Sequence, residues 1–314
     1  MGTTHHVSED LRHDRFDPAI PPVLTIAPGD TVVFETPEAL NNQLGPESAS
    51  SALANLDFSV IHQISGPIAI EGAEPGDTLI VEILSIKPKQ WGWSGVVPNF
   101  GLLQMDPEYQ EPYLHHWDLS SGKHAAFDDR IRVPFEPFCG VMAVAPISDE
   151  PLITLPPRAN GGNMDLKQAQ PGSKVFFPVF VPGANFSLGD VHAAQGDGEI
   201  CGTGIECQAT VTAKFDLRKG HPMPEPAIML PGKMPGSQND GWMVTTAHGP
   251  DLMENARNAV RYMVGFLVRT EKLSPQEAYV LCSACADLKI GEIVDAPNWI
   301  VTCSFPLGVL GGRP

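Results

Sequence analysis

No run of apolar residues in this chain approaches the roughly 18 that a bilayer-spanning helix requires, so ordinary transmembrane helices are excluded. Cationic side chains are scarce. The 20 Lys and Arg stand against 37 Asp and Glu, giving a formal charge of −17 at pH 7. Such a surface repels phosphate backbones and anionic lipid, which argues against nucleic acid and membranes as partners but leaves neutral solutes unopposed. The polar start from Met1 to Arg15, with several His and Asp, lacks the apolar centre of a secretion signal. A cytoplasmic location is therefore expected. The six cysteines, at 139, 201, 207, 282, 285 and 303, follow no repeated spacing, which suits reduced thiols better than a disulfide framework. Cys282-Ser-Ala-Cys285 has no second Cys-x-x-Cys to complete a four-sulfur site and falls within an expected helix, so it is read as structural.

Proline and glycine are plentiful, 31 and 30 residues, and their density excludes long helices from the first three quarters of the chain. Pro-Gly, then Asp or Ser, then an apolar run, occurs at Pro28, Pro75 and Pro171. Each instance predicts a turn feeding a strand. After His248 the texture changes. Asp251 with Glu254 reads as an N-terminal helix signal, and Leu252, Ala256, Ala259, Met263 and Phe266 recur at helical spacing, predicting a helix of about twenty residues. Ser274-Pro-Gln-Glu277 opens a second helix expected to end near Asp287, and Trp299 to Phe305 reads as a returning strand. The fold class is thus mainly β, of sandwich or barrel lobes that can be a duplication, with a C-terminal helical hairpin. One unit is expected over 1–314: β-rich over about 1–248, the hairpin over about 251–287 and the strand over about 298–306. Ser48 to Ala54 reads as a flexible loop. Residues 106–130 read as a long excursion, either a lid or subunit contact or an ordinary solvated loop, in which the neighbours His115 and His116 point to opposite faces.

The stretch from Leu188 to Glu206 packs Asp190, His192, three further carboxylates and five glycines into nineteen residues. On an extended chain Asp190 and His192 share a face and can grip one ion. The glycines let the backbone approach a small ligand, and Glu199 and Glu206 supply carboxylates able to move protons. Asp197 and Glu199 can also be the solvated tip of a hairpin. The run holds no phosphate-binding loop, neither G-x-x-x-x-G-K-S/T nor G-x-G-x-x-G opening a helix.

Together with Gly161-Gly-Asn-Met-Asp165, the block from Gly66 to Asp77 and Asn99-Phe-Gly-Leu-Leu103, this stretch resembles the acetamidase/formamidase family, in matching order from about Gly66 to Leu307. The resemblance implies a β-rich homo-oligomer associated with a zinc-like ion. It implies hydrolysis of short amides to a carboxylate and ammonia, in nitrogen metabolism, with a γ-lactam as the alternative substrate.

Amide cleavage needs an activated nucleophile, an oxyanion stabiliser and a proton donor to nitrogen. Ser120-Ser-Gly-Lys123 lacks the glycines of a serine amidase, and Cys139 sits among apolar residues like a core thiol. A divalent metal such as zinc, which lowers the pKa of bound water from 15.7 to roughly 7, fits the residues best. The ligand candidates are Asp165, Asp190 and His192, with His62 as a weaker fourth. Glu199, and after it Glu206, are the candidate general acid–base, and the backbone N–H groups of Gly202-Thr-Gly204 are candidate oxyanion donors. A reading of another class stays open: a non-catalytic β-barrel binding protein with a structural ion.

Overall fold

Ala27 to Asp30, Glu74 to Asp77 and Gln170 to Ser173 are three β-turns of one kind in the computed structural model, which describes residues 2–231 and 241–310. Each is closed from the fourth residue's N–H to the first residue's carbonyl, at 3.1, 3.0 and 3.0 Å. The glycine at the third position has φ +97°, +91° and +91°, the left-handed conformation a type II turn demands there. Each turn leads straight into a strand: Thr31–Thr36, Thr78–Val96 and Lys174–Pro178.

The protein is mostly β. Among the described residues eighteen strands join in one hydrogen-bonded network, and Arg15–Phe16 with Leu152–Ile153 forms a second small sheet. The spine is the antiparallel pairing of the long strand Thr78–Val96 with Glu206–Arg218, from Thr78 opposite Arg218 to Trp93 opposite Glu206. Two register shifts, at Cys207/Ala209 and Thr212/Ala213, bend it. Alternation decides what lies inside. In Thr31–Thr36 the residues Val32, Phe34 and Thr36 are buried and their neighbours half-buried. Phe215 meets Phe34 and Phe186 edge-on at ring distances of 6.2 and 5.4 Å in the main core.

The C-terminal helices are α1 (Leu252–Glu271) and α2 (Pro275–Cys285). Asp251 caps α1 by accepting from the Glu254 N–H, but the Glu254 carboxylate turns away to Arg257 and Arg261. At α2 the capping box is complete: Ser274 Oγ accepts from the Glu277 N–H and the Glu277 carboxylate accepts from the Ser274 N–H. Ala259, Met263 and Leu267 of α1 share a core with Met243, Ala247, Cys303 and Phe305, so the hairpin covers the strands Trp242–Gly249 and Trp299–Pro306. The second helix stops at Cys285, short of the expected Asp287. From Asp287 the backbone instead pairs with Trp299–Pro306 as the strand Asp287–Glu292.

One loop expectation is corrected, and the excursion over 106–130 proves to contain strands. Residues 50–55 form a 3₁₀ turn whose Leu53 is buried beneath Gly95; one apolar anchor in a small polar run is enough to order it. Within 106–130, Tyr113–Asp118 adds an antiparallel strand to Trp91–Val96, and His124–Ala126 pairs with Arg132–Pro134. His116 accepts from Trp91 Nε1, while His115 stacks on Phe127, so neither is drawn into a cation site. All six cysteines are free thiols. Among the described residues no helix is long and apolar enough to cross a membrane.

Candidate active site

The strand Phe186–His192 is buried along its whole length because Phe138–Ala143 flanks it on one side and Ile64–Ile70 on the other. It delivers Asp190 and His192 to the same place, with His192 Nε2 3.4 Å from Asp190 Oδ1. Strand periodicity is only part of the reason. Asp190 has φ +52°, and Asp165 and Glu199 both have φ +46°. Left-handed backbone at a residue other than glycine costs on the order of 1–3 kcal/mol, so the surrounding strands must hold all three acids in place.

Asp165 follows the strand Gly161–Asn163, which pairs with Val141 to Ala143. Glu199 comes from the turn beyond Gly198, and Glu206 begins the strand that pairs with Trp93. All five residues meet. His192 Nε2 lies 3.0 Å from Glu206 Oε2, and His192 Nδ1 lies 3.7 Å from Asp165 Oδ1. Asp165, His192 and Glu199 form one set of ligand atoms within 4.8 Å, and Asp190, His192 and Glu206 form another. His62 stands at the edge, its Nε2 3.9 Å from Asp190 Oδ2, and belongs to neither set.

Gly140 is what lets the two aspartates come this close. A Cβ there would sit 2.4 Å from Asp165 Oδ1 and 2.6 Å from Asp190 Oδ2. Gly140→Ala is therefore expected to lower stability by about 1–3 kcal/mol through overpacking and to abolish activity. Thermal unfolding with an activity assay checks this; a variant with wild-type values for both would refute the crowding argument.

Gln195 selects between the two nitrogens of His192. Its Nε2 donates to the Asp165 carbonyl at 3.0 Å, which turns its Oε1 toward His192 Nδ1 at 2.6 Å. Nδ1 then carries a proton, and Nε2 is the nitrogen that faces Asp190 and Glu206. Glu206 is pinned further by the Gly204 N–H, which donates to its Oε1 at 2.7 Å. The Glu199 carboxylate accepts no hydrogen bond from any described residue.

Asp165, Asp190, Glu199, Glu206, Glu292 and Asp295 are all buried, and among the described residues the ion pairs reaching them come from imidazoles alone. Lys167 and Lys289 stop at Asp197, outside the cluster. The consequences are electrostatic. Burial, then the charge of Asp165, pushes the Glu199 carboxyl well above the usual range; burial, then Asp190, takes Glu206 up to about 8. Burial acts on Asp190 too, but the His62 and His192 imidazoles outweigh it and hold its carboxyl below the usual range. Both Asp165 carboxylate oxygens are buried without an N–H or hydroxyl donor, and the side chain within hydrogen-bond reach is another acid, Asp295. Unpartnered carboxylate oxygens, a second acid at hydrogen-bond range of one imidazole nitrogen and a dearth of cationic side chains are what a divalent cation would resolve. The donor set fits one.

Above the acids lies a cavity of about 40 Å³. Leu40, Phe58, Ile61, Trp93, Val97 and Phe100 form its apolar wall, and Trp93 is fixed by donating from Nε1 to Glu38 at 3.0 Å. The expectation that Gly202-Thr-Gly204 supplies several oxyanion donors is corrected. The Gly202 N–H donates to the Glu199 carbonyl and that of Gly204 to Glu206, leaving Thr203. Asp197 lies apart, held by Gln168 and the two lysines. The Cys139 thiol is pushed by burial up to about 12, and Ser120 to Lys123 is an exposed turn; neither offers a nucleophile here. Asn163, Gln195, Glu292 and Asp295 went unread in the sequence. Asn163 lay inside the Gly-Gly-Asn-Met-Asp run, whereas nothing local marked the run Glu292 to Asp295.

Residues 2–152 and 146–311 match the sequence profile of the Acetamidase/Formamidase family. An acetamidase of Mycolicibacterium smegmatis is 31% identical over 317 residues, covering 79% of this chain and 76% of the relative. A formamidase of Methylophilus methylotrophus is 27% identical, covering 94% of this chain and 88% of its own. The crystal structure of an acetamidase from Bacillus halodurans superimposes with a TM-score of 0.87 at 33% identity, covering 97% of this chain and 98% of that one.

Proposed function

The chain belongs to the Acetamidase/Formamidase family and is a hydrolase acting on linear amides, and from that premise we propose that the buried acid cluster carries the reaction, with a divalent cation. The carrying observation is the set of buried acids around His192, with no Lys or Arg paired to them among the described residues and with both Asp165 oxygens lacking an N–H or hydroxyl donor, at the floor of a cavity of about 40 Å³. A water needs roughly 10–15 Å³ in the same measure. A cavity this small favours formamide and acetamide over the bulkier γ-lactam.

Asp190, His192 Nε2 and Glu206 would hold the cation, with Asp165 beside them; one imidazole among carboxylates permits zinc or manganese. When bound it supplies Lewis acidity and a water that ionises near neutral pH. Gln195 keeps His192 in the tautomer that presents Nε2. Glu199 takes a proton from the attacking water as oxygen bonds to the carbonyl carbon. It returns that proton to nitrogen as the C–N bond breaks, releasing ammonia and the carboxylic acid, which passes its proton on to become the carboxylate. Its raised proton affinity suits both halves of the cycle. The apolar wall keeps bulk water from competing for these charges.

The test is ammonia release from formamide, acetamide, propionamide and butyramide, with elemental analysis of the same preparation. Rates are expected to fall as the acyl chain outgrows the cavity. No ammonia from any of them, with a bound ion present, would leave a non-catalytic ion-holding protein. Homo-oligomeric assembly is supported by Phe58, Leu102, Leu103, Met105 and Ile200, apolar and exposed near the cavity; light scattering reads it directly.

A further inference from the structure

Asn163 ends the strand Gly161–Asn163, is buried, and lines the cavity beside Asp190 and Glu199. Its amide is oriented: Nδ2 donates to Asp295 Oδ2 at 2.5 Å. The remaining atom, Oδ1, is buried with no hydrogen-bond partner among the described residues. We propose that Asn163 recognises the amide nitrogen of the substrate, its Oδ1 accepting a hydrogen bond from the NH2 group, and that this contact selects unsubstituted amides. The inference rests on the amide-hydrolase reading and adds which group identifies the leaving nitrogen.

The chemistry of the cavity makes the assignment. A small amide presents a carbonyl oxygen, which needs a donor or a Lewis acid, and an NH2 group, which needs an acceptor. Asp190 and Glu206 are engaged with imidazoles and a backbone N–H, Glu199 with proton transfer, and Asp165 with its place beside the cation. Asn163 Oδ1 is an acceptor that is neutral and does not take up a proton, so it can hold an N–H without removing it. Asp295 is a positioning residue. Its grip on Nδ2 fixes the amide and leaves Oδ1 as the open acceptor, and Asp295 is itself fixed because its backbone N–H donates to Glu292 Oε1 at 2.6 Å.

The experiment compares wild type with Asn163→Leu, near in volume, and with Asn163→Ala should the first not fold. Two quantities are read: kcat/KM for formamide, and inhibition by formate, which matches formamide in shape but offers an oxygen where the amide has NH2. Bound metal and melting temperature are measured on the same samples. The variant is expected to lose about 10- to 100-fold in kcat/KM for formamide. Formate inhibition should be unchanged or tightened, because the lost Oδ1 faced an oxygen. An unchanged formamide rate overturns the proposal. So does a parallel weakening of formamide and formate, which marks a structural role. Wild-type protein inert toward formamide fails the hydrolase reading instead, a distinct result.

Discussion

Prolonged treatment with a strong chelator is expected to abolish amide hydrolysis, and a divalent cation to restore it. The physical ground is the uncompensated acid cluster. Burying a carboxylate without a partner is strongly unfavourable, and Asp165, Asp190 and Glu206 converge on His192 with no Lys or Arg among the described residues to neutralise them. Asp190→Ala and His192→Ala should each lose both the bound ion and the activity. Metal content and ammonia release are measured on the same samples, with circular dichroism to show that the fold persists. Full activity in a demonstrably metal-free sample would sink the metal-assisted mechanism.

Glu199→Gln is expected to keep metal and fold yet fall in rate by about 10²–10⁴-fold, the usual worth of general acid–base catalysis. Glu206→Gln should behave differently. Glu206 is held by His192 Nε2 and the Gly204 N–H, so its loss should release the ion as well as the rate. The contrast follows from position: Glu206 lies against His192 Nε2, the nitrogen assigned to the cation, whereas Glu199 belongs to the other set, with Asp165. If Glu199→Gln retains near-normal rate while Glu206→Gln keeps its metal but loses rate, the proton carrier is Glu206. If neither change matters, acid–base catalysis by these residues is wrong.

Local chemistry made some features legible in the sequence. A type II turn needs glycine at its third position whatever surrounds it, so Pro28-Gly29, Pro75-Gly76 and Pro171-Gly172 announced three strand starts. The Ser274/Glu277 box closes within four residues, and it announced α2. Asp190 and His192 were readable as a pair for the same reason: two residues along a strand bring side chains to one face. Strand partners were not legible, and with them went much of the site. Gly140 is silent in sequence, and its role appears only when two strands bring Asp165 and Asp190 against it. Gln195, three residues from His192, gains meaning only from the Asp165 carbonyl, thirty residues upstream. Asn163 and Asp295 are 132 positions apart and meet through the packing of the final strands. Periodicity, turns and caps are properties of neighbouring residues. The charge balance of a buried cluster depends on which distant strands share a register, and only the tertiary structure decides that.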